Sequence, residues 1–288
     1  MGTAVYVDKT CKVKADYRTE LTSNYQAEFG EADFVEKREE ERQRINKFVE
    51  KATEGQITEI IERSVLDANT RIVIVNAIQF IAKFFCEFPR NRTKLETFYN
   101  EDNTTKEVNM MHHKMDSQYC KPPKYLSTDQ FEYGDFCFYS DDSYRFFIIV
   151  PKNQTVSALL EDFPMSFSKI LEDAIDVNLN VSIPKFKTEL SIQLKPVFES
   201  FGIQDAFSHQ ADFSRMTDTP INIEFIVHKA VLEIDEKGVT AAASTALVIC
   251  QYSCTSYGKL VEASIVADRP FLYGIRYNET PLFVGQYY

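Results

Sequence analysis

The sequence predicts an α+β fold in one domain, built on a large central mixed sheet. Three observations carry this. Residues 71–80 are β-branched on both faces, as in a strand covered on both sides. Residues 131–139 and 144–150, the second closed by Pro151, read as neighbouring strands. Helical periodicity is confined to short stretches around them, and no linker, repeat or low-complexity tract divides the chain.

Taken in order, Ala4-Val5-Tyr6-Val7 is strand-like. The densely charged residues 36–51 carry apolar side chains at Ile45, Phe48 and Val49, continued by Ala52, which predicts a solvated helix with one narrow buried stripe. Gly55 stands where that helix would stop, and Ile57, Ile60 and Ile61 predict another short helical turn. After the central strand, residues 106–152 alternate short strands and turns. Short helices are expected at 156–161 and 167–174, then one long strand through Val181, Ile183, Phe186 and Leu190, then a helix at 194–201. Strand alternation resumes over 221–234. The end reads as a hairpin, 271–277 and 282–284, turning at Asn278-Glu279-Thr280-Pro281.

With 43 acidic against 32 basic side chains the formal charge is −11, which argues against a nucleic-acid partner, because phosphate neutralisation needs clustered cations. Hydrophobic residues make up 44%, enough for a sizeable core and too many for a disordered chain. The greasiest stretch, 72–88, is interrupted by Asn76, Gln79, Lys83 and Glu87, so no membrane span is expected. Cys11, Cys86, Cys120, Cys137, Cys250 and Cys254 include no CxxC pair and read mainly as free thiols. Adjacent strand residues face opposite sides, so His112-His113 forms no metal pair, and no metal or other cofactor is expected. A GxSxG elbow, an HExxH helix, a P-loop and a Gly-rich dinucleotide turn are all absent; no catalytic residue is assigned, and the chain does not read as an enzyme.

One segment behaves unlike the rest. No charged residue occurs from Gly238 to Gly258, and its first half is small: Gly238, Val239, Thr240, Ala241, Ala242, Ala243, Ser244, Thr245. An uncharged, proline-free stretch able to add to a sheet edge is an aggregation hazard unless it has a structural use. At period two, Val239, Ala241, Ala243, Thr245, Leu247 and Ile249 form one uncharged face, so the segment reads as a strand held in reserve.

Asp235-Glu236-Lys237-Gly238 followed by that run resembles the reactive-loop hinge of the serpins, and the likeness extends along the chain in family order. Arg44-Ile45-Asn46-Lys47-Phe48-Val49-Glu50-Lys51-Ala52-Thr53-Glu54-Gly55 resembles the helix crossing the central sheet, and Val75-Asn76-Ala77-Ile78 the third central strand. Ile183-Pro184-Lys185-Phe186 resembles another sheet strand, and His228-Lys229-Ala230-Val231-Leu232-Glu233-Ile234 the strand feeding the loop. Ala267-Asp268-Arg269-Pro270-Phe271-Leu272 and Pro281-Leu282-Phe283-Val284-Gly285 are similar to the signature and final strand beyond it.

The resemblance implies a serpin-like fold over residues 1–288, with two further sheets and peripheral helices beside the central sheet and a reactive loop at about 236–266. It implies an inhibitor whose loop is cleaved as a substrate and then inserts into the central sheet. Counting Glu236 as the first of seventeen places the bait at Tyr252 and the reactive bond at Tyr252-Ser253, flanked by Cys250 and Cys254. An aromatic bait implies a chymotrypsin-like target protease, with a cathepsin-like one as the alternative; Lys259 is a second, trypsin-like bait. The hinge comprises Glu236, Gly238, Val239, Thr240, Ala241, Ala242, Ala243, Ser244 and Thr245. The sheet-opening region comprises Lys185, His228, Asn76 and Phe84, with Lys185 paired to Glu236, His228 hydrogen-bonded to Asn76 or backbone, and Phe84 standing where the family has a Trp. Val239 and Thr240 replace a usual Thr or Ser and Glu, and neither obstructs insertion. The expected state is a monomer prone to loop-sheet polymers.

The chain opens inside what resembles the second central strand, so the fold is expected to be incomplete at the N-terminus. The competing reading is a non-inhibitory, serpin-like binding protein or a degenerate paralogue. The first residues form no secretory leader, which by itself suggests the cytoplasm. Sequons at Asn91, Asn103, Asn153, Asn180 and Asn278, with the resemblance, suggest the extracellular space, and the compartment stays open.

Overall fold

The computed structural model describes residues 2–139, 141–239 and 259–288. The chain divides into two compact units, Met1–Phe80 with Lys187–Leu232, and Ile81–Phe186 with Glu233–Tyr288. In chain order the elements begin with β1 (Gly2–Asp8), α1 (Ala15–Asn24), β2 (Glu28–Ala32), α2 (Arg38–Ala52), β3 (Ile72–Gln79), β4 (Ala82–Lys83), β5 (Lys94–Tyr99), β6 (Thr105–Met115), β7 (Lys124–Ser127), β8 (Phe131–Cys137) and β9 (Tyr144–Pro151). They continue with α3 (Val156–Glu161), α4 (Phe167–Asp173), β10 (Ile175–Pro184), β11 (Phe186–Gln193), α5 (Lys195–Ser200), β12 (Phe225–Asp235), β13 (Gly238–Val239), β14 (Val261–Val266), β15 (Phe271–Tyr277) and β16 (Thr280–Tyr287).

In the first unit β3 is the central strand, antiparallel to β1 and parallel to β12; β1 also pairs with β2, and β12 with β11. Alternation buries both faces of this sheet, as its sequence predicts. Tyr6, Val73 and Val75 meet Ile45 and Val49 of α2 on one side, while Val5, Val7 and Ile72 meet Met216 and Ile221 on the other. The narrow stripe of α2 is therefore its buried face. Glu39, Glu40 and Glu41 in the first turn and Lys51 in the last complement the helix dipole.

The helical turn expected at Ile57, Ile60 and Ile61 does not form. All three side chains are buried, but α2 and the residue after it capture their backbone. Asn46 Oδ1 accepts from Ile60 N (3.0 Å) and Ile61 N (2.9 Å), and Thr53 Oγ1 from Ile57 N (3.1 Å). With those donors satisfied from outside, the segment gains nothing by closing its own turn. Helix α1 is mostly polar and has no fully buried residue; only the half-buried Tyr17 and Leu21 pack against the core, too short a stripe for periodicity to reveal.

The second unit holds the two further sheets, and they share β10. Its first residues, Ile175 and Asp176, pair with β7, which leads through β8, β9 and β15 to β16. From Val177 on, β10 lies between β14, parallel, and β6, antiparallel. Helices α3 and α4, each opened by a capping hydroxyl (Thr155, Ser166), place Leu159 and Ile170 against Phe131, Phe147 and Ile149. The single long strand expected through Leu190 is instead two strands in different sheets. Pro184 has no N–H for the ladder, and the next donor, Lys185 N, goes to Asn109 O (2.8 Å).

Asp135 of β8 is fully buried and accepts from three side chains: Arg145 Nε (2.6 Å) of β9, Arg276 Nη2 (2.7 Å) of β15, and the Tyr133 hydroxyl (2.6 Å). Burial alone would raise its pKa, but the two guanidiniums outweigh burial and hold the carboxyl below its usual range. Removing the carboxylate leaves two buried cations uncompensated. Asp135→Ala is expected to lose about 3–5 kcal/mol in urea denaturation; a loss below about 1 kcal/mol would show that the arginines are not held by this charge.

Candidate functional site

The described part of the expected hinge, residues 236–239, lies in the second unit, where β12 ends and the chain reverses. Asp235 Oδ1 accepts from Lys237 N (2.9 Å) and Gly238 N (3.2 Å), closing the turn, and β13 returns antiparallel to β12 in the register Ile234↔Val239 and Asp235↔Gly238. On its other side β13 pairs antiparallel with β4, Gly238↔Lys83 and Val239↔Ala82. The hinge thus already forms two residues of strand with a neighbour on each side. Only glycine suits the first of them: Gly238 has φ +147, and a Cβ there would stand 2.2 Å from Ala82 O and 2.8 Å from Lys83 Cα. Val239 is fully buried.

The expected pair of Lys185 and Glu236 is present, Nζ to Oε2 at 3.1 Å, and Thr93 Oγ1 donates to Glu236 Oε1 at 3.0 Å. Lys185 occupies the break between β10 and β11. The Glu236 backbone carbonyl accepts from Phe88 N (2.7 Å), and that of Lys237 from Phe84 N (2.8 Å). Phe84 is 1% exposed and stands among Phe88, Phe136, Phe138 and Phe146, with ring centroids 5.1–5.9 Å away. Phenylalanine in place of Trp therefore fills an aromatic core rather than leaving a gap.

The rest of the expected sheet-opening region lies in the first unit. Asn76 of β3 and His228 of β12 are direct register partners in the parallel ladder. The expected hydrogen bond to Asn76 Oδ1 is not made. That oxygen is buried without a partner among the described residues, and burial holds the His228 imidazole below its usual pKa, hence neutral at pH 7. Parallel partners point to the same side of the sheet side by side, which does not by itself align a ring nitrogen with an amide oxygen.

Thr240, Ala241, Ala242, Ala243, Ser244, Thr245, Tyr252 and Ser253 lie outside the described residues, as do Cys250 and Cys254. Lys259 is exposed, just ahead of β14. Within the span expected as reactive loop, β13 and β14 are sheet strands at its two ends. The reading of the cysteines as free thiols is corrected at one pair. Cys86 and Cys120 form a disulfide, their Cα atoms 6.0 Å apart, whereas Cys11 and Cys137 are free and buried. The turn after β6, in which Cys120 N donates to Asp116 O (2.8 Å), contributes this half-cystine, and no local spacing announces it. His112 and His113 do face opposite sides: His112 bonds Ser182 Oγ (2.8 Å) and Glu96 Oε1 (2.9 Å), while His113 turns inward onto Phe88.

Glu236 is 8% exposed. Burial would raise its pKa, but the backbone hydrogen bond, Lys185 and Thr93 together hold it below the usual carboxylate value. A depressed carboxylate contributes stability above its unfolded pKa, about 4.3, and loses it as pH falls through the folded value. Glu236→Gln is therefore expected to melt below the wild type at pH 7, by about 1 kcal/mol because Lys185 is partly exposed. The difference should close by about pH 3. A gap unchanged between the two pH values would show that the charge is not what holds the turn.

A family model described as serpin (serine protease inhibitor) matches residues 1–288. Serpin B8 of Homo sapiens is 31% identical over 293 residues, covering 98% of this chain and 75% of that protein. A serpin-like protein of Methanosarcina mazei is 28% identical over 287 residues, covering 98% and 65%. Among solved structures, Serpin48 of the insect Tenebrio molitor superposes with TM-score 0.83 at 24% identity, over 99% of this chain and 74% of that one, which shows the shared fold. Human thyroxine-binding globulin complexed with thyroxine gives TM-score 0.83 at 26% identity, over 99% and 73%. With the family's model matched from end to end and a relative 31% identical over three quarters of its length, the chain belongs to the serpin family.

Proposed function

We propose that the chain inhibits a serine protease as a suicide substrate, its loop cleaved at Tyr252-Ser253. The observation that carries this reading is the hinge itself. β13 begins as an antiparallel strand between the end of β12 and β4, and the residues that follow it are small and uncharged. In the proposed reaction the protease serine attacks the Tyr252 carbonyl, the Ser253 amine leaves with the proton carried by the catalytic histidine, and an ester joins the two proteins. Cleavage frees the segment to extend β13 alongside β12, where β3 is now the parallel neighbour from Phe225↔Val73 to Val231↔Gln79. A strand antiparallel to both would replace that ladder with two. The outcome depends on rates: insertion faster than deacylation traps the protease, and slower insertion releases cleaved loop and active enzyme.

Tyr252 suits the hydrophobic primary pocket of chymotrypsin-like enzymes, and Ile249, Cys250 and Gln251 ahead of it leave a cathepsin-like cysteine protease as an alternative target. The same uncharged segment can pair with the sheet of a second copy, which makes loop-sheet polymers the expected failure of the monomer. A second reading has one specific support. Thyroxine-binding globulin, complexed with thyroxine, has this fold, and a carrier role is the alternative that likeness supports.

Incubation with chymotrypsin separates the two. The inhibitor reading predicts an SDS-stable adduct at the summed mass and a released peptide beginning at Ser253. It also predicts cleaved protein that melts about 10 °C or more above the intact chain, since a dozen inserted residues gain roughly 0.5 kcal/mol each. Cleavage with neither adduct nor added stability, repeated with trypsin and a cathepsin, would put the carrier reading first.

A further inference from the structure

Strand β6 turns Met111, His113 and Met115 inward in one alternating row. The two methionines are at most 1% exposed, and between them stands an imidazole whose Nδ1 is buried with no hydrogen-bond partner among the described residues. A buried polar atom left unpaired costs about 1–3 kcal/mol, so its position asks for a ligand. The Cys86–Cys120 pair lies against it: a ring nitrogen of His113 and the two sulfurs are all within 4.8 Å of one another. Met115 and the free thiol Cys137 line the small void on which Cys86 and Cys120 open. Thiolates, a thioether and an imidazole are the donors that thiophilic cations select, and no carboxylate belongs to the set.

From this arrangement we infer that, once the disulfide is reduced, Cys86, Cys120 and His113 form a Cys2His site for Zn2+. Reduction requires a dithiol. Two electrons and two protons pass from the dithiol to the two sulfurs, and the dithiol leaves as its own disulfide. Zn2+ then displaces both thiol protons, so the dication, two thiolates and a neutral imidazole sum to zero charge, a combination that a largely buried site tolerates. Three ligands around one zinc stand about 3.5–3.8 Å apart for ordinary Zn–S and Zn–N lengths. The imidazole, already within 4.8 Å of both sulfurs, closes in as the reduced thiols separate. The two states exclude each other: in an oxidising compartment the pair is a disulfide, and in a reducing one it is a metal ligand set. The site stands apart from the inhibitor reading and does not depend on it.

The test uses the full chain, reduced by a dithiol that is then removed without air. Titration with Co2+ is expected to produce thiolate-to-cobalt charge-transfer absorption saturating at one equivalent, bleached by one equivalent of Zn2+. The air-oxidised chain should show neither. His113→Ala and, separately, Cys86→Ser should weaken Zn2+ binding at least 10-fold, with folding checked by circular dichroism. The double variant Cys250→Ser with Cys254→Ser should bind as the wild type does. The inference is overturned if the reduced wild type takes up no cobalt, if the oxidised chain binds equally well, or if binding follows the Cys250 and Cys254 variants instead.

Discussion

A single carboxylate fixes where β13 begins. Glu236 takes Lys185 on one oxygen and Thr93 on the other, and its backbone carbonyl takes Phe88 N. Those partners come from the break between β10 and β11, from the residue before β5, and from the segment after β4. The energy is modest, because half of the ion pair faces solvent. The geometric effect is larger. With Glu236 held, the turn closed by Asp235 can only send Gly238 toward Ala82, and the close approach of that backbone is what excludes any side chain at Gly238.

Sequence periodicity revealed elements whose burial is local and one-sided or complete: β3 with both faces buried, β8 beside β9, the capped helices α3 and α4, and the terminal hairpin β15–β16. It failed where a partner distant in sequence decides the structure. Ile57, Ile60 and Ile61 look helical but have their donors taken by Asn46 and Thr53. The strand through Leu190 looks continuous, but Lys185 gives its N–H to Asn109. α1 packs only Tyr17 and Leu21, both half-buried, and so leaves little pattern. The contact of Lys185 with Glu236 was legible, because the ordered family motifs placed the two at one site. The disulfide was not legible, since six scattered cysteines do not state their pairing.

The aromatic wall behind the hinge shows how one substitution is absorbed. Phe84 has less area than the Trp that the family places there, and Phe88, Phe136, Phe138 and Phe146 close around it in edge-on and stacked contacts. Phe88 is shared. Its ring meets both Phe84 and His113, while its N–H holds Glu236. One residue therefore links the hinge turn, the aromatic core and the side of β6 on which Cys86 and Cys120 meet.

In the first unit, the parallel ladder between β3 and β12 has a polar flaw at its middle. Asn76 Oδ1 is buried without a partner among the described residues, and burial holds the imidazole of its register partner His228 below its usual pKa. Apolar neighbours such as Val73, Val75, Val227 and Val231 give this part of the sheet its burial, so the flaw lowers the cost of separating the two strands without undoing the core. A sheet meant only for stability would place another β-branched pair there. Under the proposed insertion, in which β3 and β12 part so that a third strand pairs with both, the ladder must persist and yet open at one point, and an unsatisfied acceptor beside a neutral imidazole meets both requirements.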